Sequence, residues 1–307
     1  RGLGDVYKRQ GKGREIMEIQ LKNISKKFGE QSIFENLSAT IPSGHSIGLI
    51  GPNGIGKTTL IRMMFNLDDQ YQGQIYFDKY LNKDIRIYQR AYYMQDYQIL
   101  YPQLTAYDHL KFLTDVHHIK SSRIEEVCQE VGMNTYLHKK TRTYSLGMKQ
   151  HLLIAMALIN QAECIVMDEP FNGLDPTSIL DLKRILEKLR NQGKTILISS
   201  HNLALVQELV DQVFLIKDKK LERVFLDQEQ ALQLIFVFSQ QADQSRFIPA
   251  SQNAGLNYEV LDQGVKLSGD PSPYINLLIN NQIMVDHVIH QQTSLEELYQ
   301  AYYLQDK

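Results

Sequence analysis

A glycine-rich run followed by a lysine and two threonines occupies residues 51–59, GPNGIGKTT. It fits the pattern GxxxxGK[ST], and it lies between the apolar run SIGLI at 46–50 and a helical pattern. Glycines let successive backbone N–H groups turn toward phosphates, and the helix N-terminus adds its positive end. The run therefore predicts a P-loop that binds nucleotide phosphates. Its residues are Gly51, Pro52, Asn53, Gly54, Ile55, Gly56, Lys57, which reaches the terminal phosphates, Thr58, which binds Mg²⁺, and Thr59.

Two acids follow a second apolar run, in CIVMDEP at 164–170. A strand that ends in Asp168 places one carboxylate at the carboxyl edge of a parallel sheet, where it can hold Mg²⁺. Glu169 then lies beside the attacking water, and a general base there contributes about 10²- to 10⁴-fold to the rate. Without the P-loop, two acids that merely end a strand would explain the pattern equally well.

Three further residues are candidates on weaker patterns. His201 ends TILISSH, and a strand parallel to the other two delivers it to the edge that holds Lys57 and Glu169. Gln95 in YYMQD and Phe28 in KKFGE have no distinctive spacing, and a solvated loop residue and a core residue explain them from spacing alone.

The stretch YSLGMKQH at 144–151 is called the signature segment below. Ser145 is a favoured N-cap residue, and the apolar run at 152–154 continues a helix predicted over 145–160. By itself the segment does not distinguish an ordinary helix start from half of a nucleotide site.

Buried, β-branched runs alternate with helical patterns through the first two thirds of the chain, which predicts an α/β fold with a mainly parallel sheet covered on both faces. The stretch from about 85 to 134 is predicted to be mostly helical and inserted. Residues 222–307 are predicted to form a small α+β accessory domain. Its predicted elements are a strand–turn–strand at 258–269, a helix at 273–280, a strand at 283–288 and a helix at 294–303.

Composition bounds the remaining possibilities. With 33 basic and 35 acidic side chains the net charge is −2, so no global field attracts nucleic acid or an anionic membrane. The apolar runs are too short for a transmembrane span, and two cysteines give no disulfide framework. Residues 1–16 are expected to be a non-native leader that resembles sequencing-adapter read-through, with Met17 as the native start.

In chain order, these motifs resemble those of the ATP-binding subunits of ABC transporters, over about residues 17–221. The matching motifs are Phe28, the P-loop, Gln95, the signature segment, CIVMDEP, NGLD at 172–175 and His201. The resemblance implies an ABC-type P-loop NTPase fold with a helical subdomain at about 85–160, and ATP and Mg²⁺ as cofactors. It further implies that Phe28 stacks on adenine, that Gln95 contacts Mg²⁺ and the γ-phosphate, that Asp175 forms the D-loop contact and that His201 binds the γ-phosphate.

The family's signature is usually LSGGQ. Here Ser145 and Gly147 match, whereas Met148 replaces the usual glutamine and His151 stands where arginine is common. The resemblance implies a head-to-tail dimer in which Ser145 and Gly147 bind the γ-phosphate held by the second subunit's P-loop. One polar contact is expected to be lost at Met148.

The form SLGMKQ resembles that of peptide-antibiotic and bacitracin-type exporters. This resemblance implies an ATPase that powers export through a separate polytopic permease. It implies no membrane span in this chain and no nucleic-acid partner. It implies a cytoplasmic location on the inner face of the plasma membrane. An importer subunit with a C-terminal regulatory domain is the main alternative, and a non-transporter ABC protein is a weaker one. The helix TSLEELYQAYY at 293–303 resembles the last helix of many exporter subunits.

Overall fold

The computed structural model describes residues 17–226, 232–238, 241–261, 264–267, 271–292 and 294–303, so the predicted leader at 1–16 lies outside the described residues. The chain divides into two compact units after Phe225. The strands and helices of the first unit are β1 (Ile19–Phe28), β2 (Gln31–Ile41), β3 (Ser46–Ile50), α1 (Lys57–Met64), β4 (Gln72–Phe77), β5 (Tyr80–Leu81), β6 (Ala91–Met94), α2 (Ala106–Val116), α3 (Ser122–Glu130), α4 (Leu146–Ile159), β7 (Cys164–Asp168), α5 (Pro176–Asn191), β8 (Thr195–Ser199), α6 (Leu203–Leu209), β9 (Gln212–Lys217) and β10 (Lys220–Phe225).

A six-stranded sheet of order β10-β9-β3-β8-β7-β6 forms the centre of this unit. All of its neighbouring strands are parallel except β9 and β10, which form an antiparallel pair. Every residue of β3 and β8 is buried, as the apolar runs predict for strands covered on both faces. The predicted α/β fold class is confirmed, and the carboxyl ends of β3, β7 and β8 lie at one edge.

A second sheet, of order β2-β1-β4-β5, is antiparallel and was not predicted from the sequence. It shares a hydrophobic core with α1, β3 and β7, and that core includes Phe34, Leu60 and Val166. The hairpin of β1 and β2 therefore packs against the element that begins at the P-loop.

The predicted helical subdomain contains a strand. Residues 91–94 form β6, which pairs in register with β7 at the edge of the central sheet. The reason is that a backbone ladder to Cys164–Met167 determines the structure of this short apolar run, which has no period of its own. The helices α2 and α3 follow it, and α2 begins at a capping box between Thr105 and Asp108.

The second unit is a small antiparallel α+β fold. Its elements are β11 (Leu232–Val237), α7 (Gln241–Asn253), β12 (Tyr258–Leu261), β13 (Gly264–Leu267), α8 (Ser272–Asn281), β14 (His287–Gln292) and α9 (Leu295–Tyr303). The strand order β12-β13-β11-β14 with the succession β-α-β-β-α-β is the split βαβ arrangement of ferredoxin-like folds. Its core includes Phe236, Phe247 and Tyr274.

Two predicted boundaries differ from the structure. The first unit extends to Phe225 rather than 221, because β10 pairs with β9 along its whole length. The last strand begins at His287 rather than 283, because its ladder with β11 starts at the pair Val237–His287. In the part of the chain that the structure describes, no helix combines the length and apolar character needed to span a bilayer.

Candidate nucleotide site

The P-loop connects the buried strand β3 to α1. Gly54 and Gly56 have φ angles of 79° and 117°, a region that favours glycine, and Gly56 is the N-cap of α1 without a side-chain cap. A Cβ on Gly56 would lie 2.7 Å from Cγ2 of Ile33 and 2.9 Å from Cζ of Phe34. Glycine is required there both by the backbone angle and by the hairpin packed against the loop.

Lys57, the first residue of α1, is 7% exposed. Its Nζ donates to the carbonyl oxygens of Gly51 at 2.7 Å and Pro52 at 3.3 Å. Burial lowers the pKa of Lys57, and the nearby carboxylates of Glu169 and Asp168 oppose that shift. The loop therefore holds a buried positive charge that interacts with both acids.

The two acids at the end of β7 are oriented by β8. Asp168 is paired in register with Ser199, and the Ser199 hydroxyl donates to Asp168 Oδ1. Burial and the Asp168 carboxylate raise the pKa of Tyr93 to about 12, so the Tyr93 hydroxyl stays protonated beside this acid. Neither Tyr93 nor Ser199 was singled out from the sequence, since only strand pairing brings them to Asp168.

Glu169 and His201 are in direct contact. Nδ1 of His201 lies 2.9 Å from Oε2 of Glu169, and the His201 backbone N–H donates to the same oxygen at 3.3 Å. Glu169 has a φ of 51°, which is uncommon for a residue other than glycine. The parallel strands thus deliver the predicted base and the predicted histidine to one point, as the sequence pattern indicated.

Gln95 lies at the wall of a cavity of about 330 Å³ that Asp168 and Glu169 also line. Gln150 of α4 lines the same cavity, is 6% exposed, and its Oε1 has no hydrogen-bond partner in the described structure. The structure therefore brings Gln95, a weak candidate from spacing alone, next to both acids.

Phe28 ends β1 and is 52% exposed. Nζ of Lys26 lies 4.6 Å from the centre of its ring. A cavity of about 300 Å³ is lined by Gln31, Ser32 and Ile33 of β2 and by Asn53, Gly54 and Ile55 of the P-loop. The exposure of the Phe28 ring differs from the core position that spacing alone favoured.

The signature residues form a second group, centred on Ser178. Ser145 is the N-cap of α4 and accepts from the Met148 N–H at 3.2 Å. A Cβ on Gly147 would lie 2.2 Å from Ser178 Oγ. That hydroxyl donates to Asp175 at 2.9 Å, and the Ser178 N–H donates to Asp175 at 3.0 Å, which lowers the pKa of the Asp175 carboxyl.

Gly147 therefore closely approaches a residue of its own chain, Ser178 in the first turn of α5. From the sequence, Gly147 was expected only to contact a phosphate of a second subunit, and Ser178 was missed because no local pattern reveals this packing.

His151 lies in α4, and its two ring nitrogens have different surroundings. Its Nδ1 lies 2.9 Å from the Tyr136 hydroxyl, whereas its Nε2 is buried without a partner in the described structure. Burial lowers the pKa of His151, and the charge of Asp181 opposes the shift. Burial therefore disfavours the charged form of this imidazole in α4.

The donors at this site fit Mg²⁺. Thr58, Gln95 and Asp168 offer a hydroxyl, an amide and carboxylate oxygens. Mg²⁺ is commonly bound by one or two carboxylates plus substrate phosphates. Among the described residues there is no group of three or more His, Cys, Asp or Glu side chains that would form an all-protein cage.

A P-loop on a parallel sheet, with paired acids and a histidine at the same edge, defines a P-loop ATPase. A sequence profile of the ABC transporter family matches residues 34–172. The lantibiotic transport ATP-binding protein SrtF of Streptococcus pyogenes is 35% identical over 66% of this chain and 88% of that protein. The bacitracin transport ATP-binding protein BcrA of Enterococcus faecalis is 33% identical over 67% of this chain and 69% of that protein.

Solved structures agree with these matches. An ATP-binding subunit of an ABC transporter covers 69% of this chain with 91% of its own, at 26% identity and a TM-score of 0.62. The dimeric ATP-binding cassette MJ0796, in a post-hydrolysis state with ADP and Pi, covers 68% of this chain with 99% of its own, at 24% identity and a TM-score of 0.61, which supports the fold. The chain belongs to the ABC transporter family. It is an ATP-binding subunit and an ATPase.

Proposed function

We propose that residues 17–225 hydrolyse Mg²⁺-bound ATP with the residues gathered at the carboxyl edge of the central sheet. Lys57 and the P-loop N–H groups hold the β- and γ-phosphates, while Glu169 accepts a proton from the attacking water. The contact between Glu169 and His201 carries this proposal, because it holds the base and a second polar side chain at one point. When bound, Mg²⁺ would be held by Asp168, Thr58 and Gln95 and would offset phosphate charge.

In this proposal His201 fixes the direction of the Glu169 carboxylate and contacts the γ-phosphate. Phe28, whose ring is exposed at the end of β1, stacks on the adenine ring. Lys57 exchanges its two loop carbonyl oxygens for phosphate oxygens when ATP enters. A dry, partly buried position strengthens the electrostatic attraction of Lys57 for phosphate.

We also propose that two copies form a head-to-tail dimer in which Ser145 and Gly147 contact the γ-phosphate bound by the partner. The charge of this surface supports the proposal. The first turn of α4 has no acidic residue, so its positive end is uncompensated. Beside Met148, three cations line a cavity of about 470 Å³, namely Lys139, Lys140 and Arg142, and the described structure gives none of them an ion-pair partner.

The transported substrate class that this proposal favours is a peptide antibiotic or similar drug, exported through a separate polytopic permease on the inner face of the plasma membrane. The similarity to lantibiotic and bacitracin transport subunits supports this substrate class, since these two relatives are 33–35% identical to this chain over about two thirds of its length. Nucleic acid has no place in this function.

The test is an antibiotic-susceptibility assay in cells that produce the chain together with a candidate polytopic permease. Cells with the parent chain should tolerate more lantibiotic or bacitracin than cells with Glu169→Gln. The matched control is Glu187→Gln, which changes an exposed glutamate on α5 and should behave as the parent. Equal susceptibility of the parent and Glu169→Gln strains to both drugs, with both chains produced, would exclude this export function.

A further inference from the structure

Ser199 is the last residue of β8 and has no exposed surface. Its hydroxyl donates to Oδ1 of Asp168 and accepts from the backbone N–H of Glu169 at 3.1 Å. The same N–H also lies 3.0 Å from the Ser199 carbonyl oxygen. One buried side chain therefore contacts both acids that end β7.

These contacts fix the direction of the hydroxyl. A serine hydroxyl has one proton to donate, and here that proton is used on Asp168, while a lone pair is used on Glu169. One oxygen of Asp168 is thus held toward β8. Hydrogen bonds of this kind orient a carboxylate ligand of a metal, and their removal typically costs about 10- to 100-fold in metal affinity or activity.

The second contact anchors an unfavourable backbone conformation. Glu169 has a φ of 51° and precedes Pro170, and the left-handed region is disfavoured for residues other than glycine. The N–H of Glu169 is held by both oxygens of Ser199, so the neighbouring strand supports the turn that directs the Glu169 side chain to His201.

We infer that Ser199 is a positioning residue of this ATPase: it orients Asp168 toward Mg²⁺ and fixes the turn that carries Glu169. The inference rests on the proposed function for the roles of Asp168 and Glu169. It adds a fully buried residue to this site, and it links the end of β7 to the strand that precedes His201.

The next residue provides a matched control. Ser200 is 1% exposed, nearly as buried as Ser199. Its hydroxyl accepts from the Asn202 N–H at 3.0 Å, and in the described structure it has no hydrogen bond to Asp168 or Glu169. Removal of either hydroxyl should therefore cost stability, while only one removal should affect the metal.

The experiment measures the Mg²⁺ concentration that half-saturates binding of a fluorescent ATP analogue to the purified full chain. Ser199→Ala should raise this concentration about 10- to 100-fold, whereas the affinity for the analogue in EDTA should not change. Ser200→Ala should leave the Mg²⁺ requirement as in the parent. Ser199→Thr keeps the hydroxyl, so its Mg²⁺ requirement should stay close to that of the parent. Thermal melting checks that each variant is folded.

An unchanged Mg²⁺ requirement in folded Ser199→Ala overturns the inference, and so does an equal change in Ser199→Ala and Ser200→Ala. If Ser199→Ala does not fold, Ser199→Cys keeps the side-chain volume with a weaker donor and should show the same direction of change. A parent chain that binds the analogue equally with and without Mg²⁺ would instead contradict the proposed metal site itself.

Discussion

Oε2 of Glu169 accepts two contacts from His201, from the ring Nδ1 at 2.9 Å and from the backbone N–H at 3.3 Å. The His201 side chain is 56% exposed, while that of Glu169 is 21% exposed, so the pair lies at the rim of the site. A carboxylate held in one direction is ready to accept a proton from a water placed against it. Glu169, the base expected from the sequence, is thus held in one direction by His201.

Lys57 and Glu169 should separate binding from turnover. Lys57→Ala removes the cation of the P-loop and should abolish ATP binding. Glu169→Gln keeps the shape but not the basicity, so ATP should stay bound while the rate falls about 10²- to 10⁴-fold. Filter binding and phosphate release measure the two properties. Turnover of Glu169→Gln at the parental rate would show that another group is the base.

Gly147 and Ser178 should be energetically coupled. A Cβ on Gly147 would overlap Ser178 Oγ at 2.2 Å and approach Ser178 Cβ at 2.8 Å. Gly147→Ala should therefore destabilise the chain by about 1–3 kcal/mol, the usual cost of overpacking. Ser178→Gly removes both contacting atoms, so the double variant should lose less than the sum of the two single variants. Urea unfolding of all four chains gives the coupling free energy, and simple additivity would rule out the contact.

His151 should make the chain sensitive to acid. Burial lowers its pKa below the unfolded value of about 6.5. As the pH falls from that value through the lower folded pKa, the unfolded state binds the proton first, so stability is lost in this window and is fully present above it. Between about pH 7.5 and pH 5.5, the melting temperature of His151→Gln should therefore fall less than that of the parent.

The control for this prediction is His138→Gln, which makes the same chemical change at an exposed histidine outside α4. Identical pH dependence in His151→Gln and the parent would show that His151 titrates normally in the folded chain.

The ATP-binding unit should function without the second unit. A chain that ends at Phe225 keeps the whole of β10 and should bind ATP as tightly as the full chain. A chain that ends at Leu221 retains only the first two residues of β10, so it exposes most of the β9 edge and should be less stable or aggregate. Calorimetric ATP titration and thermal melting test both. Weak ATP binding by a folded 1–225 chain would mean that the second unit contributes to the site.

The sequence allowed some of this site to be predicted but not all of it. Lys57, Asp168 and His201 follow buried strands, and parallel strands have their carboxyl ends at one edge, so local patterns were enough to bring them together. Gln95 and Phe28 were recognisable only through the resemblance to a family.

Ser178 and Ser199 could not be found in this way, because their contacts depend on the register of β7 with β8 and on the close approach of α4 to α5. The same limit explains β6: its four residues are a strand because of their partner, and four residues are too few to show a period.

The signature segment should decide whether the site is shared between two chains. Ser145→Arg places a bulky cation where the proposed partner's γ-phosphate lies, so this chain should bind ATP at its own P-loop but should not dimerise. If Ser145 is only the N-cap of α4, its replacement should cost about 0.5–2 kcal/mol of stability and leave ATP-driven dimerisation intact.

Light scattering of Ser145→Arg in the Glu169→Gln background, with and without ATP, separates these outcomes, and thermal melting reports the capping cost.

A mixture with Lys57→Ala makes the test sharper. The mixed dimer has one complete composite site, built from the P-loop of the Ser145→Arg chain and the signature segment of the Lys57→Ala chain, while both defects fall in the other site. Partial recovery of ATP-driven dimerisation on mixing is therefore expected, since neither variant alone contains a complete site. An ATP-induced Ser145→Arg dimer as abundant as that of the parent would exclude the shared site.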